Sequence, residues 1–149
     1  MGEEERELFP VFDIPEEDEE EYDTEFKPSI AWDVEKGDFV INTKYQVVKS
    51  DGYEAYKIWC MKMVQTERLS CLAYDEDDGV ELEGALKESD ENAVELEVER
   101  TIQEALMINP RTESVENFIF EWKPKALNVS FDVIPAQWEE FSLSLELDR

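Results

Sequence analysis

The architecture turns on Glu99-Arg100-Thr101-Ile102-Gln103-Glu104-Ala105-Leu106-Met107-Ile108-Asn109-Pro110-Arg111-Thr112-Glu113-Ser114-Val115. Read backwards from Met107, apolar residues recur at three- and four-residue steps: Leu106, Ala105, Ile102, Val98 and Val94. That period lines one face of a helix over residues 90–107, with Ser89 as the candidate N-cap. Acids crowd its N-terminal half, where the helix dipole favours them. Pro110 disfavours helical geometry at Asn109 and stops the helix. Read forwards, the period changes to two. Phe118, Phe120 and Trp122 alternate with Ile119, Glu121 and Lys123; Lys123-Pro124-Lys125-Ala126 turns the chain. Leu127, Val129, Phe131 and Val133 then alternate with Asn128, Ser130 and Asp132. After Pro135 come Phe141, Leu143, Leu145 and Leu147 between Ser142, Ser144 and Glu146. Three strands are expected, over 117–123, 126–134 and 140–147, each with one buried and one polar face.

Upstream, Tyr56, Trp59, Cys60, Met63 and Val64 form an apolar stripe that predicts a helix over residues 53–69. Ser50-Asp51-Gly52 marks its start. Phe39-Val40-Ile41, Asn42-Thr43-Lys44 and Tyr45 to Val48 read as a hairpin over 38–49. Asp75-Glu76-Asp77-Asp78-Gly79 is a polar loop. The expected fold class is α+β: a small, mainly antiparallel sheet packed by two main helices. Residues 1–26 form an acidic extended or disordered arm, and 27–149 a single domain.

The arm follows from charge. The chain carries 40 acids against 14 bases, a net of -26, with no histidine. Thirteen of those acids and one Arg lie in residues 1–26. Six carboxylates in a row, Glu16 to Glu21, repel one another and resist packing. An island of Leu8, Phe9, Val11, Phe12 and Ile14 precedes this run, with Pro10 within it and Pro15 after it. Five apolar residues in seven are costly to leave in water, so this segment is expected to dock on the body or on a neighbour. The charge argues against direct contact with nucleic acid or an anionic membrane, and favours partners with basic surfaces. No stretch approaches the length of a transmembrane helix. Glu3, Glu4 and Glu5 stand where a secretory leader would be basic, so residence in the cytoplasm is expected. Cys60 and Cys71 have no metal-site spacing and read as buried free thiols.

Little catalytic chemistry is open to such a chain. Without histidine, Ser-His-Asp and Cys-His systems are excluded. The loop at 75–79 fails the calcium-loop template, because Tyr74 and Ala85 fall at its first and last ligand positions. Paired carboxylates for glycoside hydrolysis are abundant by chance and carry no information. No catalytic, cofactor-binding or metal-ligating residue is expected, and no cofactor. Two other functions stay open: a lysozyme-like cell-wall glycosidase, and an acidic DNA mimic.

The helix that ends in Asn109-Pro110-Arg111 and runs into a strand resembles the baseplate wedge and sheath-initiator family of contractile tails, whose fold is often called lysozyme-like. It is most similar to the branch found in PBSX-type prophages and tailocins. Further matching pieces are Ala31-Trp32-Asp33, Gly37-Asp38-Phe39-Val40, the helix carrying Trp59-Cys60, Thr66-Glu67-Arg68, and Tyr74 through Gly79. The resemblance covers roughly residues 27–134. The family commonly carries Glu-Pro-Arg at the helix end; here Asn109 replaces the Glu, so only Pro110 and Arg111 carry over directly. The resemblance implies a structural baseplate subunit that joins the wedge core and templates the first sheath ring by strand addition. Implied partners are other wedge proteins, tail sheath subunits, and tube-initiator or hub proteins. Assembly in the host cytoplasm and residence in a phage or tailocin particle follow from it. The expected partner-binding residues are Pro110, Arg111, Asn109, Arg100, Leu143 and Leu145. Glu113 and Glu104 are alternative partners for Arg111 within the chain. Leu143 and Leu145 have to pack on the helices or on a neighbour.

Overall fold

The computed structural model describes residues 25–148. Chain order is β1 (Ser29–Ile30), β2 (Trp32–Asp33), β3 (Asp38–Phe39), β4 (Lys49–Ser50), α1 (Gly52–Gln65), α2 (Leu82–Ala85), α3 (Glu91–Met107), β5 (Thr112–Trp122), β6 (Ala126–Pro135) and β7 (Phe141–Asp148). The fold is α+β, as expected, with α1, α3 and the inner face of β5–β7 sharing one core. The proposed arm lies almost wholly outside the described residues, and only Glu25 and Phe26 of it can be placed.

The sheet has the order β5-β6-β7, antiparallel throughout. Leu127, Val129, Phe131 and Val133 point inward from β6 and are buried. Each faces an inward residue of β7: Leu147, Leu145, Leu143 and Phe141 in turn. The β6–β7 register is unbroken over eight pairs. The β5–β6 register is not, for it shifts between Thr112 and Ser114 and again between Glu116 and Ile119. At the second bulge Asn117 adopts φ 56° and its side chain donates to Asp132 at 2.9 Å. The extra residue changes which parity faces the core. Val115 is inward before it, whereas Phe118, Phe120 and Trp122 pack on the core after it. Period-two patterning alone placed β5 at 117–123. It begins five residues earlier, because the bulges hide the alternation over 112–117.

Two helix ends also differ from expectation. Helix α1 stops at Gln65 instead of running to residue 69. Its C-cap, Thr66, is extended, and the chain past it pairs with Val80: the Arg68 amide donates to Val80 O at 2.8 Å and the Val80 amide to Thr66 O at 2.9 Å. Gly79 permits this pairing. It sits at φ 100°, and a Cβ there would lie 2.5 Å from Thr66 O. Cys71 falls in the connection between α1 and α2, outside both helices, and is exposed, which corrects the expectation of two buried thiols. At the other end Asp51 caps α1, accepting from the Glu54 amide at 2.8 Å. Helix α3 is capped by Asp90, not Ser89, and without a side-chain hydrogen bond. The short helix α2 went unforeseen; it seats Leu82 and Ala85 in the core.

The expected hairpin at 38–49 is present in outline. Ile41 faces Val47, and Asn42 Oδ1 accepts from the Lys44 and Gln46 amides at 2.9 and 3.0 Å. Its regular strands are only two residues long and pair outward: β3 with β2, and β4 with β1. Residues 29–50 thus make a small lobe beside α1.

Candidate partner-binding surfaces

The turn after α3 is built by its own side chains. Asn109 Oδ1 accepts the Arg111 amide at 3.0 Å, and the Thr112 amide donates to Asn109 O at 2.9 Å. This self-hydrogen-bonding turn is what a short amide side chain supplies and a longer carboxylate would not. Pro110 is exposed, while Asn109 and Arg111 are half-buried. Met107 and Ile108, in the last turn, are about half exposed as well.

Arg111 reaches neither Glu113 nor Glu104. Its Nε donates to the Glu25 carbonyl at 2.6 Å, and its Nη1 approaches Asn109 Oδ1 at 3.5 Å. Glu104 is held instead by Arg100. Arg111 therefore holds the backbone at Glu25, the first described residue. Next to it, Phe26 packs among Tyr53, Tyr56 and Trp138, with ring centroids 5.1 to 6.2 Å apart. Gly52 lets the Phe26 backbone lie against the start of α1; a Cβ there would sit 1.9 Å from Phe26 O. A recess of about 200 Å³ remains, lined by Lys27, Trp59, Asn109 and Arg111 among others.

Arg100 lies apart from this turn. It bonds Glu97 at 2.8 Å and Glu104 at 2.7 Å, with Glu81 at 3.8 Å. Hydrogen bonds to Glu97 and Glu104 raise its pKa further. Spacings of three and four residues put these groups on one helix face, so the array supports α3 locally. Among the described residues, no contact joins Arg100 to the 109–111 turn.

Leu143 and Leu145 belong to a third surface. They are half-buried and pack against the core cluster. Among the described residues β7 has a strand neighbour on one side only. Beside it opens a groove of about 280 Å³ lined by Val64, Glu67, Val80, Leu82, Leu145 and Leu147. Sequence reasoning named Leu143 and Leu145 but missed Val80 and Leu82. These follow the acidic loop and carry no periodic signal. Their burial depends on the Thr66–Val80 pairing and on the Glu81 amide, which donates to Thr101 Oγ1 at 2.7 Å.

The reactive groups are occupied structurally. Burial pushes the Cys60 thiol up to about 12, far from nucleophilic use. Tyr56 is raised further, by burial first, and its hydroxyl lies 2.6 Å from Thr112 Oγ1, tying α1 to the start of β5. Hydrogen bonds from Ser142 and Asn117 lower the Asp132 pKa on the outer face. Among the described residues, no group of His, Cys, Asp and Glu is placed to hold a metal ion. No helix of the described residues is long and apolar enough to cross a membrane.

The family described as contractile injection system sheath initiator matches residues 28–136. That stretch runs from the lobe through β6; the arm and β7 lie outside it. No curated protein matches the chain.

Proposed function

The chain belongs to the contractile injection system sheath-initiator family, and from that premise we propose that it lends the free edge of β7 to a strand from a sheath subunit. The family's role is structural: it starts the sheath of a contractile particle, in contact with other tail components. Strand addition is the finer reading, and the contrast between the two edges of the sheet supports it. The β5 edge carries two bulges, a common protection against pairing. The β7 edge is regular along its whole length and has beside it a groove in which Val64, Leu145 and Leu147 alternate with polar groups such as Gln65, Glu67 and Ser144. An added strand gains affinity from backbone hydrogen bonds and register from alternate side chains. Those facing inward would enter the groove over Val80, Leu82 and Leu145. The outward row of β7, with Glu146 and Asp148, suits basic residues on the incoming strand.

The joint with the wedge is assigned to the exposed Pro110 and the half-buried Arg111, with Met107 and Ile108 as the apolar part of the contact. Arg111 keeps donors beyond the two bonds described, since a guanidinium carries five. Arg100 is proposed as a secondary contact only, because three carboxylates already surround it. Tube-initiator or hub proteins would be reached through the same wedge.

Hydrogen exchange of the chain with and without sheath subunits tests the edge. Protection should appear over 141–148 and leave 112–122 unchanged. Protection confined to 112–122 would overturn the choice of β7. For the turn, Arg111→Ala should leave the monomer folded and stop sheathed particles from forming. Normal particles from that variant would remove Arg111 from the joint.

A further inference from the structure

The loop between α1 and α2 carries its large apolar side chains outward. Leu69, Leu72 and Tyr74 are 74%, 107% and 54% exposed, and Cys71 among them is exposed as well. Single exposed apolar side chains are ordinary on a protein surface, but three within six residues beside a polar rim mark a contact site. The loop is firmly built. The Arg68 amide to Val80 O and the Val80 amide to Thr66 O close its base. Arg68 Nη2 adds a bond to Gly79 O at 3.3 Å. Turns then follow one another: the Ser70 amide donates to Glu67 O at 3.2 Å, Tyr74 to Cys71 O at 3.2 Å and Asp78 to Asp75 O at 3.1 Å. The Asp75 amide donates in return to Asp78 Oδ2 at 3.1 Å. Leu69 holds φ 61°, a left-handed backbone that side chains with a Cβ adopt at a cost. Hydrogen-bonded turns thus hold apolar groups in water that burial against a second surface would favour.

Charge states what that surface is. Residues 69–83 hold six Asp or Glu and no Lys or Arg. The cations nearest the base of the loop, Arg68 and Arg100, both meet Glu81. Among the described residues no ion pair reaches Asp75, Glu76, Asp77 or Asp78. Nucleic acid and anionic lipid would be repelled by such a rim, and so would a second copy of a chain with net charge -26. A protein surface that is apolar in the middle and basic around it fits.

We infer that residues 69–74 are a plug for another protein of the contractile particle. Leu69, Leu72 and Tyr74 enter an apolar pocket on that protein, and Lys or Arg at its rim faces Asp75 to Asp78. The turns fix the plug before the partner arrives, so little ordering cost falls on binding. The inference does not rest on strand addition, because residues 69–78 line none of the groove beside β7.

Cys71 supplies the first test, since the other thiol, Cys60, is buried. Maleimide modification is timed on the free full chain and on assembled particles. Modification of Cys71 should slow by about tenfold or more in the particle; equal rates would overturn the plug. A photo-crosslinker in place of Leu72 in assembled particles then identifies the cover. Products to an apolar segment flanked by Lys or Arg on a different protein support the assignment. Products within this chain, to a second copy, or to a segment without basic residues overturn it. Leu72→Glu should lower incorporation into particles by about tenfold, the loss of one buried leucine contact. Hydrogen exchange over β5–β7 of the free variant should stay unchanged and so report an intact body, because Leu72 touches no core. Full incorporation of that variant would count against the plug.

Discussion

In β6, Leu127, Val129, Phe131 and Val133 are buried; in the lobe, Ile30, Phe39, Ile41 and Val47 remain about half exposed. Both sets alternate along extended chain and both are paired across strands. The difference lies in what stands above them. Strand β6 has a neighbour on each side, and α1 and α3 share its core. The lobe has strands of two residues, and Lys62 lies over its Trp32 ring while Ile30, Phe39, Ile41 and Val47 stay about half exposed. Alternation creates an apolar face; a second layer is needed to bury it.

Mutations and pH can break or sharpen this contrast. The largest effect is expected at Phe131, which is fully enclosed beneath the helices. Phe131→Ala should cost about 3–5 kcal/mol, from lost transfer energy plus a cavity, read as a lower denaturation midpoint. Next comes the alkaline limit of the same core. The Cys60 thiol titrates at about 12 when folded, against 9.0 as the ordinary value. Below pH 9 both states keep the proton and stability is unaffected by it. Between those values the unfolded chain loses it first, so stability should fall with rising pH by about 1.4 kcal/mol per unit. Cys60→Ala should remove the part of that slope that begins near pH 9 in urea titrations. The smallest effect is expected in the lobe. Phe39→Ala should cost about 1 kcal/mol or less, since half of the ring is already in water. If Phe39→Ala matched Phe131→Ala in chemical denaturation, the division into a covered sheet and an uncovered lobe would fail.

The helix stop at Pro110, the three strands and the two main helices were legible because each rests on local physics: a period of 3.6 or 2, or a proline. The α1 end was misread, because residues 66–69 are not helix-breaking in themselves and leave the helix to pair with Val80. The bulges in β5 were invisible for a related reason. They reverse the parity of the strand at Asn117, and only a facing strand defines which parity is inward. At the candidate surfaces, Arg111 was recognisable as a turn residue, but its grip on Glu25 joins positions far apart in the chain. Val80 and Leu82 gave no warning at all, since their place in the groove is made by α2 and the Glu81–Thr101 contact.

By itself the sequence determined that residues 99–115 are a helix that ends at a proline and enters a sheet, in a chain with no histidine for Ser-His-Asp or Cys-His chemistry. The tertiary structure decided which faces are covered and where the strand register breaks. Periodicity and charge are properties of neighbours along the chain. Burial of Phe131, exposure of Phe39 and the bulges of β5 depend on layers brought together from distant residues, and no local pattern encodes them.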